Sequence, residues 1–119
     1  MKSKADTGPI QVRVRIESER FRGLKVTGHA GLGEPGTDIL CAAVSVLTEN
    51  LDASLRLLLG VEVTGEKDKG LFDINIARME NAETEKAKQV DLLFASTILG
   101  LQALQEQYPD RIEYEESTH

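Results

Sequence analysis

The sequence predicts an α+β fold, a two-layer sandwich in which two helices cover one face of a mixed or antiparallel sheet. Segments with alternating apolar and polar residues and segments with helical spacing follow one another in the order β-β-α-β-β-α-β. Each predicted strand has one polar face, which is typical of a sheet covered on one side only. We assign residues 9–116 to a single domain, and the polar, aperiodic residues 1–8 to a disordered N-terminal tail.

The first two strands are predicted to form a hairpin. The first strand alternates between polar residues and the apolar residues Ile10, Val12, Val14 and Ile16. The segment FRGLKVTGH, residues 21–29, predicts the second strand, with the turn at residues 17–20. Gly23 interrupts the alternation of the second strand and indicates a bulge.

The first helix is predicted to run from an N-cap at Thr37 or Asp38 to about Leu59, with Gly60 as its C-cap. At about 100° per residue, its core face consists of Leu40, Val44, Leu47, Leu51, Leu55 and Leu58. A second apolar group consists of Ile39, Ala43, Val46, Ala53 and Leu57. The apolar arc is therefore wider than a helix needs to cover a sheet, so either the second helix or another subunit should pack there.

Two short strands are predicted next, at residues 61–65 and 71–77, on either side of the turn-rich segment 66–70. The second of them alternates between polar residues and the apolar residues Phe72, Ile74 and Ile76. This period of two predicts a strand with one buried face.

The second helix is predicted to be capped by Asn81 and to continue to about Gln107. A last strand is predicted at residues 111–116, where Ile112 and Tyr114 alternate with charged residues. These two elements complete the predicted order.

Composition excludes several classes of function. The chain has 14 basic and 20 acidic residues, a net charge of −6, no Trp, three Phe and two Tyr. An acidic surface with few aromatic rings argues against direct nucleic-acid binding. No apolar run approaches the roughly 18 residues of a membrane span, and no signal peptide is recognisable. The only cysteine, Cys41, cannot form an internal disulfide, so we expect a cytoplasmic protein without a membrane partner.

The segment GLGEPG, residues 31–36, fits the G-x-G-x-x-G pattern of dinucleotide-binding proteins. Its context differs from that of such proteins, because the preceding strand belongs to a predicted hairpin and no second mononucleotide-binding half follows. We therefore predict no NAD and no other cofactor. A simpler interpretation is that Gly31, Gly33 and Gly36 form a mobile loop.

This loop connects a strand that ends in His29 to a helix that contains Cys41. Such a pair can provide a nucleophile and its base, because an imidazole can accept the thiol proton and later return it to a leaving amine. A cysteine in the first turn of a helix also gains about 0.3–1 kcal/mol for its thiolate from the helix macrodipole. The unpaired N–H groups of that turn could hold an oxyanion. The only other histidine is His119.

Helical geometry places Cys41 on a polar stripe that contains Asp38, Cys41, Ser45, Thr48 and Asp52. This placement argues against the alternative that Cys41 is a small buried apolar residue. An ordinary exposed histidine remains the alternative for His29, and a plain helix-start acid remains the alternative for Asp38. A zinc site at these three residues lacks the usual paired-ligand spacing, so we predict no metal.

The motif Gly28-His29-Ala30, a glycine-containing loop, and the run DILCAAVS at residues 38–45 together resemble the ribosomal-processing cysteine protease family. The order of elements is similar over almost the whole chain. The resemblance implies a cytosolic bacterial endopeptidase, usually a homodimer, that removes a short N-terminal extension from the large-subunit ribosomal protein numbered twenty-seven. It also implies that His29 and Cys41 are the catalytic pair, with Asp38 as a suspected third member.

In this family the glycine loop is thought to move and admit the substrate, a role that would fall on residues 30–37. The resulting candidates for substrate binding or gating are Gly31, Gly33, Gly36 and Ser45. We predict a cysteine endopeptidase, with an acidic surface that suits a basic ribosomal substrate. The alternative from a different class is a non-catalytic ribosome-assembly or adaptor protein that binds a basic ribosomal protein.

Overall fold

The computed structural model describes residues 9–28, 35–79 and 84–118, and for residues 35–38 it describes the backbone alone. The predicted tail at residues 1–8 lies outside these ranges. The elements are, in order, β1 Ile10–Glu17, β2 Arg20–Thr27, α1 Pro35–Ala53, β3 Val63–Asp68, β4 Leu71–Ile76, α2 Glu85–Gln107 and β5 Ile112–Thr118. The predicted order β-β-α-β-β-α-β is confirmed. A π-helical segment, Ser54–Leu58, continues α1.

The five strands form one sheet in the order β3-β4-β2-β1-β5. The sheet is mixed, because β1 pairs with β5 in parallel while the other neighbours are antiparallel. Apolar residues of the strands and of both helices form a single buried cluster. Charged residues such as Arg13 and Lys25 occupy the exposed positions between the buried ones. The predicted α+β sandwich is therefore confirmed.

The β1–β2 hairpin contains the predicted turn and the predicted bulge. Ser18 and Glu19 form the turn, both with positive φ. Arg15 pairs with Gly23 while Ile16 pairs with Phe21, so β2 has one residue more than β1 at this point. Gly23 also lies close beside β4, where it pairs with Asn75, since a Cβ at Gly23 would be 2.8 Å from the carbonyl oxygen of Ile74. The glycine thus permits the bulge and the close contact with the neighbouring strand.

The starts of both helices differ from the prediction. The first helix begins at Pro35 and not after a cap at Thr37 or Asp38, since proline is favoured in a first helical turn, where its missing N–H costs nothing. The second helix is capped by Thr84, whose hydroxyl accepts a hydrogen bond from the N–H of Ala87 at 3.2 Å. The predicted cap, Asn81, lies outside the described residues and is not the cap.

The third predicted strand is also shifted. We predicted residues 61–65, whereas β3 extends to Asp68. Pairing with β4 continues until Asp68 lies opposite Leu71, so the hairpin closes through only two residues, Lys69 and Gly70. Gly70 has a φ of 76°, which glycine adopts without steric cost. Tertiary pairing therefore outweighed the turn-forming composition of residues 66–70.

The last turns of the first helix are π-helical, whereas we predict an α-helix to about Leu59. In the π-helical segment the N–H of Leu59 donates to the carbonyl of Ser54, five residues earlier, and Gly60 follows with a φ of 64°. The wider turn changes the direction of later side chains. Leu55 is fully buried, but Leu58, which we predicted in the core, is 75% exposed.

The second apolar group of the first helix is not covered by α2. Ile39, Val46 and Leu57 are all large exposed side chains. The helices do pack closely elsewhere, since a Cβ at Gly100 would lie 2.8 Å from a terminal carbon of Leu47. Of the two occupants considered from the sequence, the second helix is therefore excluded for these three side chains.

A comparison of two glycines tests the geometry of the edge hairpin. Gly65 and Gly60 both have positive φ, but a Cβ at Gly65 would lie 1.8 Å from the carbonyl oxygen of Asp73, whereas the space at Gly60 is open. We expect Gly65→Ala to lower the free energy of unfolding by about 3 kcal/mol or more and Gly60→Ala by about 1–2 kcal/mol. Urea denaturation measures both values. Equal losses would contradict the close packing of β3 on β4.

Candidate active site

A cleft of about 180 Å³ opens between α1 and the hairpin formed by β3 and β4. We call it the Cys41 cleft. Its apolar lining consists of Ile10, Val26, Val44, Leu71 and Phe72, and its polar lining includes Cys41, Ser45, Thr48, Glu49, Lys67 and Asp68. The polar groups come from both walls, since Cys41 and Ser45 lie on α1 and Lys67 lies on β3, and a lining that combines apolar and polar groups is typical of a binding site.

The position of Cys41 follows from the packing of α1. Leu40 and Val44 are buried, which fixes the rotation of the helix about its axis. Cys41 is turned about 100° from Leu40, so it lies at the border between core and solvent and is half-buried. Ser45, one turn later, is exposed and lines the same cleft. The predicted polar stripe is thus a border, with Thr48 and Asp52 buried at its far end.

The prediction that Cys41 lies in the first turn of the helix is wrong. Because α1 begins at Pro35, Cys41 belongs to the second turn. The macrodipole effect and the unpaired N–H groups are confined largely to the first turn. The helix terminus therefore contributes less to stabilising a thiolate at Cys41 than the sequence suggested, and a neighbouring cation or base becomes more important.

Gly28 forms the rim of the cleft where β2 ends. Its N–H donates a hydrogen bond of 3.0 Å to the carbonyl of Gly70 in the turn of the β3–β4 hairpin. Its φ is 98°, and a Cβ here would lie 3.0 Å from the carbonyl oxygen of Pro9. A residue with a side chain would be strained at this position, so glycine is required where the chain leaves the sheet.

The structure brings together only part of the predicted site. Cys41 and Ser45 share the cleft. Gly36 and Asp38 lie in the first turn of α1, where the backbone alone is described. His29, Gly31 and Gly33 lie outside the described residues. Among the described residues, no three His, Cys, Asp or Glu side chains are grouped as metal ligands would be.

A cluster of charged side chains lies beside the cleft. Lys67 of β3 donates to Glu49 Oε1 at 2.7 Å and to Asp52 Oδ2 at 2.5 Å, both on α1. Arg56 Nε donates to Asp52 Oδ1 at 2.8 Å. The Lys67 ammonium also lies 5.5 Å from the centre of the Phe72 ring. The cluster joins the edge hairpin to the helix that carries Cys41.

These contacts shift two pKa values. Burial raises the pKa of Asp52, but hydrogen bonds from Lys67 and Arg56 outweigh this effect, so the pKa lies below its ordinary value. The hydrogen bond to Asp52, and after it the one to Glu49, raise the pKa of Lys67. Both shifts favour the charged forms. The cluster therefore stabilises the fold as an ion pair across a wide range of pH.

No pattern in the sequence marks Lys67 as part of the site. Asp52 and Arg56 stand four residues apart on the helix, and this spacing is a recognisable signal for an ion pair. Lys67, in contrast, was assigned to a turn, and its partners are 15 and 18 residues away in sequence. Only the pairing of β3 with β4 places its side chain over the helix.

A second cavity, of about 210 Å³, lies at the opposite end of the strands. Four of its charged side chains form two ion pairs, Arg20 with Asp91 and Arg22 with Glu17. None of the residues that line it is a cysteine or a histidine. It therefore offers no nucleophile and base pair, and the Cys41 cleft is the better candidate.

Within the described ranges, no helix is long and apolar enough to cross a membrane.

Comparison with known proteins identifies a family that matches this chain. The family model for cysteine protease Prp matches residues 10–113. The ribosomal processing cysteine protease Prp of Bacillus subtilis (strain 168) is 26% identical over 106 residues, which cover 87% of this chain and 93% of that protein. The match includes the cleft and nearly all the elements described above.

Two solved structures have a similar fold. SMU.848 from Streptococcus mutans is 32% identical, with a TM-score of 0.73 over 94% of this chain and 97% of that one. The protease Prp from S. aureus, crystallised with a substrate peptide, is 21% identical, with a TM-score of 0.75 over 91% of this chain and 99% of that one. At this lower identity the second similarity establishes the fold alone.

The charged cluster makes stability depend on pH. A carboxylate whose pKa is lowered on folding stabilises the folded state above its unfolded pKa of about 3.9 and loses this contribution as the pH falls through the folded value. We expect Asp52→Asn to lower the free energy of unfolding at neutral pH by about 1–3 kcal/mol. Urea denaturation should show that this difference from the wild type shrinks below about pH 4.

Glu66→Gln on the exposed side of β3 is a control that should change the free energy of unfolding by less than about 0.5 kcal/mol. A difference between Asp52→Asn and the wild type that stays constant from neutral to about pH 3 would contradict the expected role of the carboxylate charge.

Proposed function

Because this chain belongs to the cysteine protease Prp family, we propose that it removes the N-terminal extension of the large-subunit ribosomal protein numbered twenty-seven during bacterial ribosome maturation. The chain is a cysteine protease by family. The observation that supports Cys41 as its nucleophile is the placement of this thiol, half-buried and free, in a cleft whose rim is Gly28. His29 follows Gly28 directly in the sequence.

The proposed reaction begins when His29 takes the proton of the Cys41 thiol. The sulfur attacks the carbonyl carbon of the substrate, and a tetrahedral intermediate forms with a new carbon–sulfur bond. As the carbon–nitrogen bond breaks, His29 gives its proton to the leaving amine. Water then cleaves the thioester and restores the thiol. Asp38 orients the imidazole in this mechanism.

Because Cys41 lies beyond the first helical turn, the imidazole is the main source of activation in the proposal. Ser45 contributes to the substrate-binding wall of the cleft, and Gly31, Gly33 and Gly36 allow the loop between base and nucleophile to admit the peptide. No metal or cofactor takes part in the proposed reaction.

Two features support a basic protein as the substrate. The net charge of −6 favours the approach of a basic partner through long-range attraction. The relative from Bacillus subtilis is itself described as a ribosomal processing protease. The substrate and the cytoplasmic location, where ribosomes mature, belong to this proposal.

Loss of the nucleophile or the base tests the proposed chemistry. We expect Cys41→Ser and His29→Ala to fold normally and to lower kcat for cleavage of the extended ribosomal protein by about ten-thousandfold. Asp38→Asn should lower kcat by about a hundredfold if the carboxylate orients the imidazole. Mass spectrometry of the products identifies the cleaved bond, and circular dichroism confirms folding.

The control is Glu66→Gln, an exposed residue that is not part of the cleft lining, and this variant should cleave at the wild-type rate. Normal trimming by Cys41→Ser or His29→Ala would overturn the assignment. Tight binding of the ribosomal protein without cleavage by the wild type would instead favour an adaptor.

We also propose that the protein is a homodimer. The large apolar side chains that are exposed among the described residues all lie on the two helices or on the π-helical segment: Ile39, Val46, Leu57, Leu58, Leu92 and Leu99. Ile39 and Val46 are seven residues apart, as are Leu92 and Leu99, so each pair lies on one side of its helix. Exposed apolar side chains on two helices that pack against each other are typical of a protein–protein interaction surface. A second copy can cover it with the same residues around a twofold axis.

Introducing charge on this surface tests the dimer. We expect the wild type to sediment at about twice its chain mass of 13.1 kDa and the double variant Val46→Glu, Leu99→Glu to sediment at the chain mass. Thr64→Glu, on the exposed edge of β3, is the control and should remain dimeric. A monomeric wild type, or a dimeric double variant, would contradict the proposal.

A further inference from the structure

The wall of the Cys41 cleft opposite α1 is the β3–β4 hairpin, and β3 is the edge strand, with β4 as its one neighbour among the described strands. An edge hairpin is held on one side by the sheet and otherwise depends on local contacts. Two such contacts are described here. One is the hydrogen bond from the N–H of Gly28 to the carbonyl of Gly70 at the turn. The other is the pair of hydrogen bonds from Lys67 to carboxylates of α1.

Lys67 is well suited to fix the distance between the hairpin and the helix. Its ammonium contacts two carboxylates on α1, those of Glu49 and Asp52, and it lies over the ring of Phe72 on β4. Asp52 is only 5% exposed and is also held by Arg56, so this anchor has little freedom to move. A hydrogen bond between charged groups is stronger when one partner is fixed and buried.

Lys67 and Glu49 also line the cleft that contains Cys41. Glu49 follows Cys41 by two helical turns, which corresponds to about 12 Å along the helix axis. An extended peptide advances about 3.3 Å per residue, so this distance accommodates about three to four substrate residues. The Lys67 contact therefore lies at the end of the cleft that is remote from the nucleophile.

We propose that Lys67 is a positioning residue for peptide binding, which holds the β3–β4 hairpin at a fixed distance from α1 so that the Cys41 cleft matches the width of an extended peptide. This inference rests on the proposed function, because it assigns the cleft to the substrate. Lys67 does not touch the reacting atoms. Its effect is on substrate binding and not on the bond-breaking steps at the opposite end of the cleft.

The test compares Lys67→Met and Lys67→Arg with the wild type, using a synthetic peptide that spans the N-terminal extension of ribosomal protein twenty-seven. We expect Lys67→Met to raise KM about tenfold, equivalent to about 1.4 kcal/mol, and to change kcat by less than about twofold. Lys67→Arg keeps the charge and should restore KM to within about threefold of the wild type. Amide hydrogen exchange at residues 63–72 should become about tenfold faster in Lys67→Met.

Lys69→Met removes the same charge from the turn of the same hairpin, outside the residues that line the cleft, and should leave KM unchanged. Glu49→Gln is the second variant. It weakens the contact of Lys67 with α1 but leaves the buried Asp52 carboxylate paired with Lys67. We expect it to raise KM about threefold, and its effect should not add fully to that of Lys67→Met.

A wild-type KM in Lys67→Met would overturn this inference while the proposed function stands. This holds even if kcat and thermal stability both fall in this variant. Failure of the wild type to cleave the peptide would overturn the proposed function, and the assignment of the cleft with it. Unchanged hydrogen exchange in Lys67→Met would overturn the role of Lys67 in holding the hairpin.

Discussion

Burial of one apolar face of α1 against the sheet is the constraint on which the candidate site depends. Leu40, Leu51 and Leu55 are almost completely inaccessible to solvent. Each fully buried leucine contributes about 1.5–3 kcal/mol, so a rotation of the helix that exposed all three would cost a large part of the about 5–15 kcal/mol by which a typical domain is stable. The rotation of the helix, and with it the direction of Cys41, is therefore set by the core. The thiol lies where it is partly covered and still reaches the cleft.

The other side of the cleft depends on contacts between segments that are remote in sequence. Gly28 ends β2 and Gly70 closes the edge hairpin, and a backbone hydrogen bond joins them. Lys67 joins the same hairpin to α1 through two carboxylates. The cleft is thus bounded by a rigid helix, whose position the core determines, and by a hairpin whose position relies on a few polar contacts. Changes in the hairpin should affect the cleft more readily than changes in the helix.

The length of α1 changes the physical basis of the proposed chemistry. A helix capped at Thr37 or Asp38 would place Cys41 beside unpaired N–H groups and the positive end of the macrodipole. A helix that begins at Pro35 places it one turn deeper, where the backbone N–H groups bond within the helix. In the proposed mechanism the imidazole of His29 then supplies most of the stabilisation of the thiolate, and the two residues stand in one sequence motif.

The sequence alone determined the order of elements, the one-sided sheet, the first turn and bulge, and the place of Cys41 outside the buried face of the first helix. These features follow from local periodicity and from glycine, whose effects reach only a few residues along the chain. Tertiary structure alone decided the parallel pairing of β1 with β5, the extension of β3 to Asp68, the outward turn of Leu58 and the contact of Lys67 with Asp52. Each of these depends on pairing or packing between distant segments, and no local pattern in the sequence records which segments will meet.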